Sequence, residues 1–262
     1  MKKLLSTIIF PSPVFGPIKS RRLGVSLGVN LMPSDGKLCT FDCIYCECGF
    51  NADRRPARPR PTALDVHNAL KRELGLMLER NEQPDVITFA GNGEPTAHPD
   101  FLSIVKDTIA MRNYFFPKAM ISVLTNGTLI HRPKVFEALQ LVDNNIVKLD
   151  TVDIDYIRQV NRPLLYYSVD DQVRKMAEFK GHIVIQTMFM KAVLNGVLVN
   201  NADDQYVDSW LRAIRYIQPR EVMIYTIDRE TPDLSLQKSS PEELDRIVDL
   251  VRAEGIKASA SY

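Results

Sequence analysis

Cysteine is scarce in this chain: four occur among 262 residues, and all lie between positions 39 and 48. A disulfide framework spreads its cysteines along the sequence to staple distant loops, so this distribution excludes one. Clustered thiols of this kind mark a metal or cluster site instead. Net charge is scarce too, since 33 basic residues against 32 acidic ones leave only +1. That balance gives no global pull toward nucleic acid or an anionic surface, although local clusters can still supply one. No apolar run reaches the ~20 residues that span a bilayer. Residues 1–5 begin like a signal sequence, but Ser6 and the prolines from Pro11 onward cut the apolar stretch short. A cytoplasmic protein without a membrane partner is therefore expected. His67, His98, His131 and His182 show no ligand spacing, and imidazole donors are not expected. No break in composition divides the chain, which reads as a single domain over residues 1–262.

What is present is a regular alternation of apolar runs and helical patterns. Strands are expected at residues 25–31, 85–90, 120–124, 146–150, 183–190 and 222–227. Between them, helices are expected from Thr62, at 100–113, at 133–142, from Ser168 and at 203–217. Thr62 with Asp65 three residues on forms a capping box, and Val66, Leu70, Leu74 and Met77 recur at helical spacing. Ser240, Pro241 and Glu243 open a further helix, Gly255 ends it, and residues 256–260 form a last short strand. The connection from residue 150 to Ser168 reads as a long loop. Six βα units in succession argue for an α/β fold with a parallel sheet and outer helices. Six units suit a partial (β/α)6 barrel better than the closed eight-unit form. In either case the active site belongs at the C-terminal ends of the strands.

The cysteine segment reads Leu38-Cys39-Thr40-Phe41-Asp42-Cys43-Ile44-Tyr45-Cys46-Glu47-Cys48. Three thiolates spaced C-x3-C-x2-C on one loop reach three corners of an iron–sulfur cubane and leave the fourth iron open, as a catalytic centre requires. A four-cysteine zinc site using Cys48 is the alternative, with an awkward Cys46-x-Cys48 spacing. Cys48 otherwise reads as a packed thiol beside the cluster.

The spacing of Cys39, Cys43 and Cys46, with aromatic Tyr45 before the third cysteine, resembles the defining motif of the radical S-adenosylmethionine (SAM) superfamily. The resemblance implies that these three cysteines hold a [4Fe–4S] cluster whose open iron is chelated by SAM. It also implies reductive cleavage of SAM to a 5′-deoxyadenosyl radical, which abstracts hydrogen from substrate, and packing of Tyr45 against adenine. Gly91-Asn92-Gly93-Glu94-Pro95 resembles the family's Gly-Gly-Glu-Pro segment, with Asn92 standing in for one glycine. Gly93 and Pro95 would then shape the approach, and the Glu94 carboxylate would bind the SAM ammonium. Asn126 and Asp150 stand at the next two strand ends, where the family binds ribose hydroxyls. Ile227 on the sixth strand would meet adenine. The radical SAM core would cover about residues 17–230, with the C-terminal helix and strand at about 240–260.

Residues 20–30, Asn161-Arg162-Pro163 and Tyr225-Thr226 resemble a clade of small Fe–S oxidoreductases that includes wyosine-type tRNA-modifying enzymes. Those enzymes carry further cysteines for a second cluster, which this sequence lacks, so the resemblance extends to the single-cluster core. An external electron donor of the flavodoxin or ferredoxin type is implied. Lys148 and Arg162 are candidates for contact with an anionic substrate. Lys19, Arg21 and Arg22, and then Arg54, Arg55, Arg58 and Arg60, form basic clusters suited to the phosphates of RNA, a nucleotide or a phosphorylated metabolite. A radical activase acting on a protein partner and a non-catalytic zinc-binding module are the competing functions.

Overall fold

The protein is described from a computed structural model covering residues 7–20 and 23–262. Arg21, Arg22 and the leader-like residues 1–5 lie outside the described residues. Strands β1 (Val14–Ser20) and β2 (Gly24–Val29) form an antiparallel pair, followed by the irregular cysteine loop and helix α1 (Ala63–Glu79). Next come β3 (Val86–Phe89), α2 (Phe101–Phe115), β4 (Met120–Thr125), α3 (Pro133–Leu141) and β5 (Asn144–Lys148). Helices α4 (Ile154–Val160) and α5 (Val169–Ala177) lead to β6 (Val184–Met188), then β7 (Met190–Leu194), β8 (Val197–Asn200) and α6 (Asp204–Ile217). The chain ends with β9 (Glu221–Tyr225), β10 (Gln237–Lys238), α7 (Pro241–Ala253) and β11 (Lys257–Ser261).

The main sheet has eight strands in the order β1-β2-β3-β4-β5-β6-β9-β11. Every pairing in it is parallel except that of β1 with β2. This is the curled, mostly parallel partial barrel expected from the sequence, and β11 joins the same sheet at its edge. Side chains alternate across it, as strand geometry requires. Leu27, Val29, Ile87, Phe89, Ile121, Val123, Val147, Ile185, Val222 and Ile224 enter the main core together with the apolar stripes of the helices. The alternate residues mix polar Ser26, Thr88, Ser122, Lys148 and Gln186 with apolar Val86, Leu124, Ile146, Val184 and Met188 on the opposite face. The Ser26 and Thr88 hydroxyls pair there at 2.8 Å.

The local signals explain most helix boundaries. Thr62 caps α1 and Ser240 caps α7, each in a complete capping box. Three features differ from the sequence expectation. The run at 183–190 divides at Phe189, so that β7 leaves the main sheet and builds a small one in the order β10-β7-β8. The supposed loop after residue 150 contains α4, a seven-residue helix capped by the Asp153 side chain on the Tyr156 N–H at 2.8 Å. Strand β1 also lies at the sheet edge, outside the repeating βα pattern. Among the described residues, no helix is long and apolar enough to cross a membrane.

Leu74 of α1 is wholly buried in the main core. Leu74→Ala is expected to lower unfolding free energy by about 2 to 5 kcal/mol, read from the denaturant midpoint.

Candidate active site

The cysteine loop has no regular secondary structure of its own and borrows partners from the strand exits. Leu38 N–H donates to the Asn92 carbonyl at 2.9 Å, and Glu94 N–H donates back to the Leu38 carbonyl at 3.2 Å. The approach is so close that a Cβ on Gly93 (φ +143°) would stand 1.9 Å from the Leu38 oxygen. Only glycine fits here. On its other side the loop rests on α4: Ile44 N–H donates to the Val160 carbonyl at 2.9 Å, and Asp42 N–H to the Asn161 carbonyl at 3.0 Å. Phe41, Ile44 and Tyr45 pack with Tyr156, Val160, Met188 and Ile227 in a second apolar cluster.

Asn92 has a structural use of its own. Its Oδ1 accepts the Phe10 N–H at 2.8 Å, while Nδ2 donates to the Phe10 and Pro33 carbonyls at 2.9 and 2.8 Å. The flanking Gly91 and Gly93 take left-handed φ values and Asn92 does not. A side chain is therefore tolerated at that position, and here it clamps the N-terminal segment to the loop.

Cys39, Cys43 and Cys46 line one cavity of about 290 Å³, together with Gly93, Glu94, Asn126, Lys148 and Tyr225. Cys48 lies outside it and is buried. Among the described residues, no three His, Cys, Asp or Glu side chains are placed to hold a single metal ion. The donor set fits a larger thiolate-bound group: three sulfurs on one loop, two of them met by side-chain amides. Asn126 Nδ2 lies 3.6 Å from Cys39 Sγ, and Asn161 Nδ2 lies 3.6 Å from Cys43 Sγ.

The thiols differ in acidity. Burial pushes Cys39 well up, reinforced by the Glu94 charge, and burial pushes Cys43 up to about 11. Cys46 is lowered to about 6 because the Cys48 thiol donates a hydrogen bond to its sulfur, helped by the Lys37 charge. Lys37 was not anticipated from the sequence. Its side chain is 1% exposed, and Nζ donates to the Gly49 carbonyl at 2.7 Å and to Asp42 Oδ1 at 3.2 Å.

Glu94 is also buried. Oε1 accepts from Thr96 N, Thr96 Oγ1 and Thr125 Oγ1 at 3.1, 2.6 and 2.6 Å, and Oε2 accepts the Asn126 N–H at 2.7 Å. Burial raises its pKa, and these donors restrain the rise. Oε2 keeps an acceptor position for a cation. Asn126 reaches the cavity, but its amide already engages Thr40 Oγ1 at 2.9 Å and Thr128.

Asp150 is placed differently from expectation. It is absent from the cavity wall, and its carboxylate is enclosed by Tyr45 Oη, Asn161 Nδ2 at 2.8 Å, Met188 N at 3.0 Å and Lys148 Nζ at 3.5 Å. It braces Tyr45 and Lys148, and no acceptor faces the cavity. Ile227 and Pro95 are buried and do not line the cavity. Arg162 is exposed, with φ +48°, and covers the Phe50 ring at 5.3 Å instead of entering the cavity. Lys148 does enter: Nζ donates to Tyr225 Oη at 2.9 Å and stands 4.9 Å from the Tyr45 ring centre. Asn161 lies in a segment marked by the sequence, yet its bracing role needed the fold.

This fold and this thiol-lined cavity define a radical SAM enzyme, and the chain belongs to the Radical SAM superfamily, whose profile matches residues 34–218. Members use a [4Fe–4S] cluster and SAM, and the chain is an enzyme of that class. It is 31% identical over 242 residues to the UPF0026 protein of Helicobacter pylori, covering 89% of this chain and 72% of that protein. A Brachyspira hyodysenteriae protein named GTPase Obg is 27% identical over 237 residues, and there the match covers 89% of this chain but 32% of the relative. Among solved structures, a radical SAM methyltransferase from Sphaerobacter thermophilus shares the fold at TM-score 0.66 and 16% identity, over 90% of this chain and 66% of that one. Streptococcus suis SuiB bound to SAM aligns at TM-score 0.63 and 14% identity, over 89% and 50% of the respective chains. Archaeal TYW1 aligns at TM-score 0.53 and 12% identity, over 87% and 72%.

The acidity difference is directly measurable. In cluster-free protein, iodoacetamide is expected to alkylate Cys46 with a half-maximal rate near pH 6, since its thiolate persists above that pH, while Cys43 stays protonated until about pH 11. Cys48→Ala removes the hydrogen bond and is expected to move the Cys46 midpoint upward, with peptide mass mapping as the readout.

Proposed function

We propose that Cys39, Cys43 and Cys46 hold three irons of a [4Fe–4S] cluster, and that the adjoining cavity takes SAM. The chain then works as one domain that abstracts hydrogen from RNA, a nucleotide or a phosphorylated metabolite. The observation that carries this reading is the meeting of three thiols, the buried Glu94 carboxylate and the half-buried Lys148 ammonium around one cavity at the strand ends. When bound, cluster and SAM together supply one-electron cleavage of the sulfonium and hence a hydrogen-abstracting radical.

The remaining work falls to the protein. Glu94 Oε2 receives the ammonium of the methionine moiety, and Lys148 faces its carboxylate or an anionic substrate group. Asn126 offers its amide edge beside Cys39. Tyr45, held upright by Asp150 and Asn161, and Met188 with Phe41 form the wall that excludes water and supports a flat base. Arg162 lies outside the cavity and is left to contact substrate from the rim. An external flavodoxin- or ferredoxin-type donor supplies the electron, and the protein acts in the cytoplasm.

Anaerobic reconstitution of the full chain is expected to give a brown protein with about four irons and matching sulfide. Cys43→Ala is expected to lose the cluster absorbance and reductive SAM cleavage while far-UV circular dichroism stays unchanged. One zinc without sulfide, or unaltered cleavage in Cys43→Ala, would sink the reading. Glu94→Gln is expected to weaken SAM binding about tenfold or more, by loss of a charge-assisted contact, in equilibrium dialysis.

A further inference from the structure

The basic segment after the cysteine loop has no part in the cofactor cavity, yet it is firmly held. The Asp35 carboxylate accepts the backbone N–H groups of Ala57 and Arg58, both at 3.0 Å. Lys37 N–H donates to the Arg54 carbonyl at 2.7 Å. At the far end, His98 Nε2 meets the Pro61 carbonyl at 2.8 Å. Asp100 N–H donates to His98 Nδ1 at 3.1 Å, which leaves the ring proton on Nε2 and makes that atom the donor. Residues 54–61 are thus tied both to the segment entering the cysteine loop and to the one following Glu94.

Against α1 this segment encloses a cleft of about 460 Å³, whose wall includes Arg58, Arg60, Arg72, Asn68, Ser12 and Ser34. Arg58 and Arg72 are exposed and Arg60 is half-buried. Among the described residues, none of the three guanidinium groups has an ion-pair partner, and the Arg60 Nε atom is buried without any hydrogen-bond partner. Among the described residues, seven other arginines pair with carboxylates, as Arg112 does with Asp143 and Arg246 with Asp204. Asp65 also borders the cleft, and its Oδ2 accepts from Thr62 N and Oγ1 at 2.8 and 2.7 Å.

We propose that this cleft binds phosphate and docks the sugar–phosphate backbone of an RNA substrate. The proposal rests on the reading above and gives it a substrate class. Guanidinium forks match phosphate oxygens two at a time, and Asn68 with the serine hydroxyls supplies neutral donors around them. A polyanion fits better than a single free phosphate. Arg55 and Lys71 lie next in sequence to this group, exposed and without a carboxylate partner among the described residues. Together they provide more positive charge than one phosphate neutralises. A membrane surface fits less well, since no large apolar side chain lines the cleft to enter a bilayer. The anchors at Asp35 and His98 fix the cleft relative to the cofactor cavity, so a backbone gripped here is held in register with the reacting centre.

The test is fluorescence anisotropy with labelled bulk tRNA on the reconstituted full chain, repeated between 50 and 200 mM salt. The Arg60→Ala/Arg72→Ala pair is expected to weaken binding about tenfold and to lower the salt slope by about one for each arginine removed. Arg60→Lys is expected to keep the wild-type slope while losing part of the affinity, because charge is retained and the fork is lost. Arg72→Ala alone changes only an exposed helix position and guards against misfolding of the pair. Equal binding by wild type and pair, or no binding by wild type, overturns the proposal. So does displacement of tRNA by inorganic phosphate or adenosine 5′-monophosphate at matched phosphate concentration, which would assign the cleft to a free phosphate. Binding to phosphatidylserine vesicles in place of tRNA overturns it as well. A chain that binds tRNA through these arginines but assembles no cluster overturns the earlier reading alone. One that assembles the cluster and cleaves SAM but ignores tRNA overturns this one alone.

Discussion

An irregular loop that presents three thiols to a cavity must still satisfy its own backbone, since a buried unpaired N–H or C=O costs as much as a lost hydrogen bond. The exchange of hydrogen bonds between Leu38 and the Asn92–Glu94 segment meets that demand on one side, and α4 meets it on the other. Leu164 N–H, donating to the Thr40 carbonyl at 2.9 Å, closes the remaining edge. Asn51 completes the loop from within: its Oδ1 accepts Cys39 N–H at 3.2 Å, and its Nδ2 donates to the Phe41 carbonyl at 3.0 Å. The placement of Gly93, the clamp of Asn92 and the position of α4 all follow from this one requirement.

The second demand is electrostatic. Thiolates crowded in a low-dielectric loop repel one another, and a buried cation relieves the repulsion. Burial pulls the Lys37 pKa down, but the Cys46, Cys39 and Cys43 sulfurs, when they are thiolates, and the Asp42 carboxylate outweigh it and hold the ammonium more firmly protonated than usual. Lys148 is arranged in the same way from the cavity side, where Asp150, Tyr225 and Cys43 overcome its desolvation. The thiol loop therefore carries a lysine in its underside and faces another across the cavity. Each lysine is fixed by an aspartate, Asp42 or Asp150, that also serves the loop backbone or an aromatic wall.

Much of this was legible before the fold was known, because period and capping are local properties. The helix stripe of Val66, Leu70, Leu74 and Met77 and the boxes at Thr62 and Ser240 fell where the sequence placed them. The cysteine spacing carried the class of chemistry. What escaped was tertiary in origin. Strand β1 pairs at the edge with no repeating unit to announce it, and α4 is too short for periodicity to emerge. The β7–β8 hairpin did have a local signal: Asn195-Gly196, both with positive φ, between apolar runs. It was masked because residues 183–190 read as one strand-like run with no turn residue in it, and only pairing partners reveal the division at Phe189.

Site residues divide along the same line. A residue type at a strand end tells what a side chain is able to do, and the fold decides which partners it has already taken. Asp150 and Glu94 look equivalent in sequence, each a carboxylate just past a strand. The fold gives each Asp150 oxygen two donors and keeps it off the cavity wall, whereas Glu94 lines the cavity and its Oε2 accepts only the Asn126 N–H. One carboxylate thus spends its charge on holding the wall, and the other keeps an acceptor for a ligand. The same reasoning applies to the arginines: those with carboxylate partners stabilise the surface at little gain. Those held around a cleft without partners keep their binding capacity unspent.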